Sequence, residues 1–501
     1  MNTGIIRYIL GHIIKLESLF LLLPCIIALI YQERQGFMYL AVAAMCYFLG
    51  SILTSRKAKD SVFYLKEGCI ATVLCWTALS FFGALPFVFT GEIPRFTDAI
   101  FETVSGFTTT GASILTNVEA LCHTSLFWRS FTHWIGGMGV LVFLLAVVPM
   151  SGASHFNLMR AESPGPSVGK LVPKLRYTAR ILYLIYIILT IIELVLLLFA
   201  KMPWFDAICI SIGTAGTGGF GILNSSMADY SATIQWIVTI FMIVFGVNFN
   251  AYYLILFGQA AKAFKMEEVR TFLVIVLAAI GLITFDIHNL FDNVGEALTH
   301  AAFQVASIIS STGFATTDFD LWPGFSKTIL VLLMFIGACA GSTGGGIKVS
   351  RFVIIGKGIL KELNSYIHPR SVKQITMDEK EVEPEVIRSV SVYMITFLAI
   401  FVASILIVAL EEKDLVTNFT AVIATLNNIG PGLSMVGPTQ NFSHFTDLSK
   451  WVLIFDMLAG RLELFPLLIM FHPAIWHELI VKRARRARQQ KYSHNPHSTN
   501  G

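Results

Sequence analysis

Phe101-Glu-Thr-Val-Ser-Gly-Phe-Thr-Thr-Thr-Gly111 starts apolar and ends in three hydroxyls and a glycine. Three other stretches can be laid on it: Ile208-Cys-Ile-Ser-Ile-Gly-Thr-Ala-Gly-Thr-Gly218, Phe303-Gln-Val-Ala-Ser-Ile-Ile-Ser-Ser-Thr-Gly313 and Val422-Ile-Ala-Thr-Leu-Asn-Asn-Ile-Gly-Pro-Gly432. Each is too short to cross a hydrocarbon core of roughly 30 Å and too apolar for a free loop. A short helix that enters from one face and returns as irregular backbone fits such a segment. That backbone is tolerated at membrane depth only inside protein or along a watery cavity. In this alignment Gly111, Gly218, Gly313 and Gly432 share one position.

The surroundings are those of a membrane protein. Of the 501 residues, 55% are hydrophobic and 14% charged, with mean hydropathy +0.69, whereas soluble domains carry roughly 25% charged residues. Apolar runs of spanning length recur near 15–31, 37–54, 68–90, 124–150, 178–200, 230–258, 270–290, 326–357, 388–410 and 447–475. The first follows Arg7 and Lys15 and soon meets a second, so it reads as a span and not a cleaved leader. Each of the four stretches lies between two runs. The chain divides into a two-helix N-terminal extension (1–66), four helix–pore loop–helix units (67–177, 178–265, 266–375 and 376–480) and a basic tail (481–501). The expected fold class is an all-α integral membrane protein with the four units in pseudo-fourfold array around a central pore.

Positive charge marks one side: Arg56, Lys57 and Lys59; Arg160, Lys170, Lys174 and Arg176; Lys262, Lys265 and Arg270; Lys357, Lys361, Arg370 and Lys373; and the tail from Lys482 to Lys491. The alternate loops carry Glu33, Glu92, Asp98, Asp206, Asp292, Asp318, Asp320, Glu411 and Glu412 instead. The positive-inside bias puts both termini in the cytoplasm, and an even span count agrees. The tail itself reads as a topology anchor and a contact for anionic membrane lipid, not for nucleic acid. Seven cysteines sit mostly inside apolar runs without CxxC spacing, which favours packing over metal ligation or disulfides.

Four short backbone segments face to face could replace the water shell of a bare cation with carbonyl oxygens. Potassium, large and weakly hydrated, suits neutral oxygens. The expected lining is Thr109, Thr110, Gly111, Thr217, Gly218, Thr312, Gly313, Pro431 and Gly432. Potassium ions would sit at Thr110, Gly111, Thr217, Gly218, Thr312, Gly313 and Gly432; no other cofactor is expected. For a single Gly-rich stretch, close helix packing is the usual explanation, but four copies at one place favour a pore. A sodium-permeable or cation-symporting version is the nearest alternative. A membrane enzyme or lipid flippase would need converging catalytic or head-group residues; neither a nucleophile–base pair nor a metal-ligand cluster appears, so the chain is read as a non-enzyme.

At these residues the sequence resembles the Trk/Ktr/HKT superfamily of potassium transporters, and most closely its TrkH type. The resemblance covers nearly the whole chain, including the two extra N-terminal spans. Its most specific pieces are Ser105-Gly-Phe-Thr-Thr-Thr-Gly-Ala112, Trp128-Arg-Ser-Phe-Thr-His-Trp-Ile-Gly-Gly-Met-Gly139, Gly341-Ser-Thr-Gly-Gly-Gly-Ile-Lys348, Asn428-Ile-Gly-Pro-Gly-Leu433 and Gly460-Arg-Leu-Glu463. It implies a bacterial plasma-membrane homodimer with one pore per subunit and a cytoplasmic TrkA-like nucleotide-binding regulatory partner. It also implies that the stretch with Gly344, Gly345, Gly346 and Lys348 is an intramembrane gating loop, and that Arg461 lies in the pore below the filter as a brake on cations.

Alternatives exist for each of these residues. Gly341–Lys348 is not a phosphate-binding loop, because Ile347 separates the last glycine from Lys348; a simple helix kink is its bland alternative. An intramembrane charge such as Arg461 needs a cavity or a partner, and a salt bridge to a carboxylate of another helix competes with the brake. Glu463 and Asp456 are nearby carboxylates. Asp98 and Asp206 could concentrate cations at a mouth or cap short helices. His133, with no partner at metal-ligand spacing, is expected to pack or hydrogen-bond.

The topology has a direct check. In a cysteine-free background, Lys59→Cys and Gln490→Cys should each react with a membrane-impermeant thiol label only from the inner face. Labelling of either from outside overturns the orientation.

Overall fold

A helix rises 1.5 Å per residue, so about 20 residues are needed to cross the hydrocarbon. The computed structural model describes residues 2–56, 64–139, 175–370, 374–475 and 477. Among these, six helical segments are long and apolar enough to cross, and a seventh candidate is a bent pair. The helix pair α1 (Thr3–Phe20) and α2 (Leu22–Tyr31) makes the first crossing, which starts at Thr3 and not near residue 15. The Asn2 side chain accepts from the Ile5 N–H at the α1 N-terminus (3.3 Å). Ile5, Ile9 and Ile13 are buried; His12 and Lys15 hide this stripe from a simple count of apolar residues. The other straight crossings are α3 (Gly36–Thr54), α4 (Leu65–Thr90), α7 (Leu175–Phe199), α12 (Glu267–Ile287) and α16 (Pro384–Val408). Large apolar side chains on α12 and α16, among them Val274, Leu277, Ile395 and Leu406, are exposed. A hydrocarbon solvent makes that stable, where water would not.

Three of the ten runs are not straight helices: two are bent or broken where the sequence carries no sign of it, and the run at 326–357 breaks at the Gly-rich stretch where a loop or kink was expected. The run at 230–258 is α9 (Ala232–Gly246) and α10 (Phe249–Leu256), bent by 91° and followed by the short α11 (Ala260–Lys265). Asn248 makes the corner: its side chain accepts from the Asn250 N–H (2.9 Å). The run at 326–357 breaks into α14 (Gly324–Ile336) and α15 (Val349–Ile367), with irregular backbone from Gly337 to Lys348. The last run is α18 (Asp447–Arg461) and the single turn α19 (Phe465–Leu468), separated by left-handed Glu463 and Leu464. The fourth begins as α6 (His123–Gly137). Its continuation, Lys57, Lys59, Arg160, Lys170, Lys174, Lys373, the Arg176 side chain and the tail from Lys482 lie outside the described residues.

Four short helices sit among the crossings: α5 (Phe96–Phe107), α8 (Trp204–Gly216), α13 (Val294–Ile309) and α17 (Leu415–Leu426). At 12 to 16 residues they reach about 18–24 Å and cannot cross. Their C-terminal halves are deeply buried; every residue from Ala99 to Phe107 and from Ala301 to Ile309 is buried. Glycines let neighbouring helices come that close. A Cβ on Gly136 of α6 would collide with the Phe107 carbonyl, and one on Gly460 of α18 with that of Leu426. A small hairpin, β1 (Thr376–Met377) with β2 (Lys380–Glu381), follows α15. It is the only sheet among the described residues.

Candidate functional site

The four short helices end alike. Each is followed by a non-glycine residue in the left-handed region: Thr109 (φ 57°), Thr217 (φ 53°), Ser311 (φ 58°) and Asn428 (φ 54°). Their N–H groups donate to the carbonyls of Gly106, Thr214, Ile308 and Thr425 at 2.9–3.1 Å. The next N–H groups, of Thr110, Gly218, Thr312 and Ile429, donate five residues back to Ser105, Gly213, Ser307 and Ala424 at 2.8–3.0 Å. This paired closure satisfies helix-end carbonyls that no water could reach. After it comes a left-handed glycine in every case: Gly111 (φ 78°), Gly219 (φ 77°), Gly313 (φ 89°) and Gly430 (φ 98°).

A Cβ at any of these glycines would run into another loop's carbonyl. Gly111 meets that of Gly218, Gly219 that of Thr312, Gly313 that of Ile429 and Gly430 that of Thr110. The fourth loop thus returns to the first, and the cycle is closed. All four glycines, with Pro431, line one cavity of about 160 Å³.

This geometry corrects the register read from the sequence. Gly218 and Gly432 do not occupy the common glycine position; Gly219 and Gly430 do. Thr217 matches Thr109, not Thr110. Loop two contains adjacent glycines and loop four the run Gly-Pro-Gly, so residue types alone allowed two alignments. The left-handed φ and the approach of a neighbouring carbonyl select one. Gly218 is instead required because a Cβ there would enter the His133 ring. The atoms nearest a Cβ on Gly432 belong to side chains, those of Thr420 and Val436.

Inter-loop hydrogen bonds brace the cycle. His133 Nδ1 donates to the Gly106 carbonyl (2.8 Å), and its Nε2 accepts from the Phe220 N–H (3.3 Å). These partners define the neutral tautomer and make His133 a strut between loops one and two. Asn428 Nδ2 donates to Thr110 Oγ1 and to the Met457 carbonyl, both at 2.9 Å, tying loop four to loop one and to α18. Buried Arg129 and Glu102 are paired at 2.7 Å; neither was singled out in the sequence, though Glu102 lies inside the quoted Phe101–Gly111 stretch and Arg129 inside the Trp128–Gly139 phrase.

Acidic residues sit at the opposite ends of these helices: Asp98, Asp206 and Glu296 in first turns and Asp414 as N-cap. That matches the helix dipole, whose negative ends abut the four loops. Asp98 pairs with Lys450 at 2.6 Å and Asp206 accepts from the Tyr230 hydroxyl at 2.9 Å. Neither lines the cavity. Partial burial pushes the Asp414 carboxyl up, but hydrogen bonds from Thr417 and Ser434 outweigh it and hold it below its ordinary value.

The irregular stretch Gly337–Lys348 packs against the undersides of loops three and four. The Gly345 N–H donates to Ser311 Oγ at 2.5 Å, and a Cβ on Gly345 would come within 2.6 Å of the Asn427 carbonyl. Lys348 is buried and donates to the Gly344 carbonyl. Arg461 donates to the Thr343 carbonyl (2.9 Å), to that of Gly137 (2.7 Å) and to that of Gly136. Glu463 pairs instead with Arg351. Glu268, unremarked in the sequence, accepts from the N–H groups of Ala340 (2.6 Å) and Ser350 (3.1 Å). It anchors both ends of the stretch. No motif marks it; a glutamate at a helix start is ordinary.

A family model described as TrkH, cation transport protein, matches residues 35–478. The chain is 37% identical over 487 residues to the Trk system potassium uptake protein TrkH of Salmonella typhimurium strain LT2, covering 95% of this chain and 100% of that protein. It is 33% identical over 487 residues to the Trk system potassium uptake protein TrkG of Escherichia coli K12, with the same coverage. Among solved structures, the crystal structure of the potassium transporter TrkH from Vibrio parahaemolyticus superposes with a TM-score of 0.86 at 33% identity, covering 95% of this chain and 100% of that one.

The corrected register predicts unequal glycines. Gly430→Ala forces a left-handed alanine, costing about 1–2 kcal/mol, and drives its methyl onto the Thr110 carbonyl. Gly432→Ala needs only side-chain adjustment. In thermal unfolding of detergent-purified protein, Gly430→Ala should melt several degrees below Gly432→Ala; the reverse order refutes this register.

Proposed function

Because the chain belongs to the TrkH family of cation transport proteins, we propose that it takes up potassium through a pore lined by the four loops. It is a multi-pass membrane transport protein and not an enzyme. The observation that carries the potassium reading is the closed cycle of four identically ended helices, with carbonyls packed against glycines. In this reading the four units are pseudo-fourfold copies about a central pore. Carbonyls of Thr110 and Gly111, Gly218 and Gly219, Thr312 and Gly313, and Ile429 and Gly430 form the filter. Among the described residues no carboxylate lines the cavity, so neutral oxygens and converging helix dipoles do the attracting. That favours a large, weakly hydrated cation.

Gly344, Gly345 and Gly346 with Lys348 form the gate in this proposal, and Arg461 the brake. Supporting it are the docking of Gly345 on Ser311 and the hold of Arg461 on Thr343. A homodimer, cytoplasmic termini, the plasma membrane as location and a TrkA-like nucleotide-binding partner complete the proposal. The partner agrees with the Trk system named for the relatives.

Rubidium, a potassium mimic, should enter liposomes holding the pure protein, and bilayer reversal potentials should favour potassium over sodium. Gly111→Ser should lower that preference without closing the pore. Its Cβ disfavours φ > 0 by about 1–2 kcal/mol and displaces the neighbouring Gly218 carbonyl; sodium, able to keep part of its water shell, suffers less. Wild-type protein that passes sodium as readily as potassium sinks the assignment; an equally selective serine variant sinks only the role of Gly111.

Arg461→Ala removes a fixed positive charge where Coulomb terms are larger than in water, and releases Thr343. Folded variant protein should conduct at least as well as wild type. Lower flux from a folded variant overturns the brake.

A further inference from the structure

We propose that Arg129 and Glu102 form a positioning pair that holds loops one and two at potassium-selective spacing, with Glu102 cancelling the arginine's charge beside the ion path. This rests on the pore reading above. Arg129 on α6 is 2% exposed and Glu102 on α5 fully buried. Arg129 Nη2 and Nε lie 2.7 and 2.8 Å from Glu102 Oε1. Glu102 also accepts from Ser113 Oγ (2.9 and 3.1 Å) and from the Ile114 N–H (3.0 Å). Those residues belong to the segment leaving Gly111. Arg129 Nη1 donates to the Gly221 carbonyl (3.2 Å), and its guanidinium lies 4.0 Å from the Phe220 ring centre. Those two belong to the segment leaving Gly219. One ion pair therefore fixes the outer exits of two adjacent loops.

The corresponding position in loop three is Gln304, which donates to Thr316 of its own loop at 3.4 Å. A neutral amide suffices to tether one loop. Only the arginine fork reaches across to the next, which a lysine's single ammonium could not reproduce. Arg129 also lines the cavity over the four glycines. An uncompensated guanidinium there would repel entering cations, and burial leaves it poorly screened.

The test uses full-length protein in planar bilayers, with folding checked by size exclusion. Arg129→Lys should fold and pass potassium while its potassium-to-sodium permeability ratio falls about tenfold, the scale of one lost charged hydrogen bond. Glu102→Gln should lower current more at low ionic strength than at high. Glu102→Gln combined with Arg129→Gln should recover current but not selectivity. Wild-type ratios in Arg129→Lys and in the double variant overturn the positioning role, and salt-independent current in Glu102→Gln overturns the charge cancellation. Failure of all three variants to fold assigns the pair to fold stability and also overturns the proposal. A wild type without potassium preference refutes the pore reading instead, before any substitution is made.

Discussion

Backbone polar groups deep in a bilayer have no water to turn to. The same constraint governs how a helix can end in the dry interior of a membrane protein, as the four short helices of this chain do. Each short helix solves the problem identically, with a left-handed Thr, Thr, Ser or Asn and two backward hydrogen bonds. The closure consumes the carbonyls that a broken helix would leave bare. It accepts an unfavourable φ at a residue with a Cβ, which the dense burial around it over-determines. Beyond the closure the backbone has room for one geometry, a left-handed glycine against the next loop's carbonyl.

The four loops share this backbone but not their supports. Loops one and two are joined by His133 and by the Arg129–Glu102 pair, and loops four and one by Asn428 on Thr110. Loop three is touched from below by the Gly345 N–H on Ser311. Four near-identical backbones in unlike surroundings let each loop be adjusted by its own neighbours. In the proposed pathway, the underside of loops three and four is where the intramembrane stretch can bear on the ion path.

That stretch is itself tied down at both ends. Glu268 accepts from Ala340 and Ser350, and the adjacent Glu267 N–H donates to Asp378 of the small hairpin at 2.7 Å. Lys357 bridges the Glu267 carboxylate and the Thr376 carbonyl. The start of α12 thus links the hairpin to the stretch under the loops through two consecutive residues.

The sequence by itself determined the membrane class, the four short segments and the break near Gly341–Lys348. Apolar length, charge placement and repeated residue types are local properties written along the chain. It could not determine the loop register. Gly218 and Gly219, or Gly430 and Gly432, are the same residue type, and what separates them is the carbonyl of another loop far away in sequence. The 91° corner at Asn248, the partners of Arg461 and the importance of Glu102, Arg129 and Glu268 were hidden for the same reason. A buried charge or a strained turn is stable only because of groups brought to it from elsewhere in the chain, and only the tertiary structure brings them together.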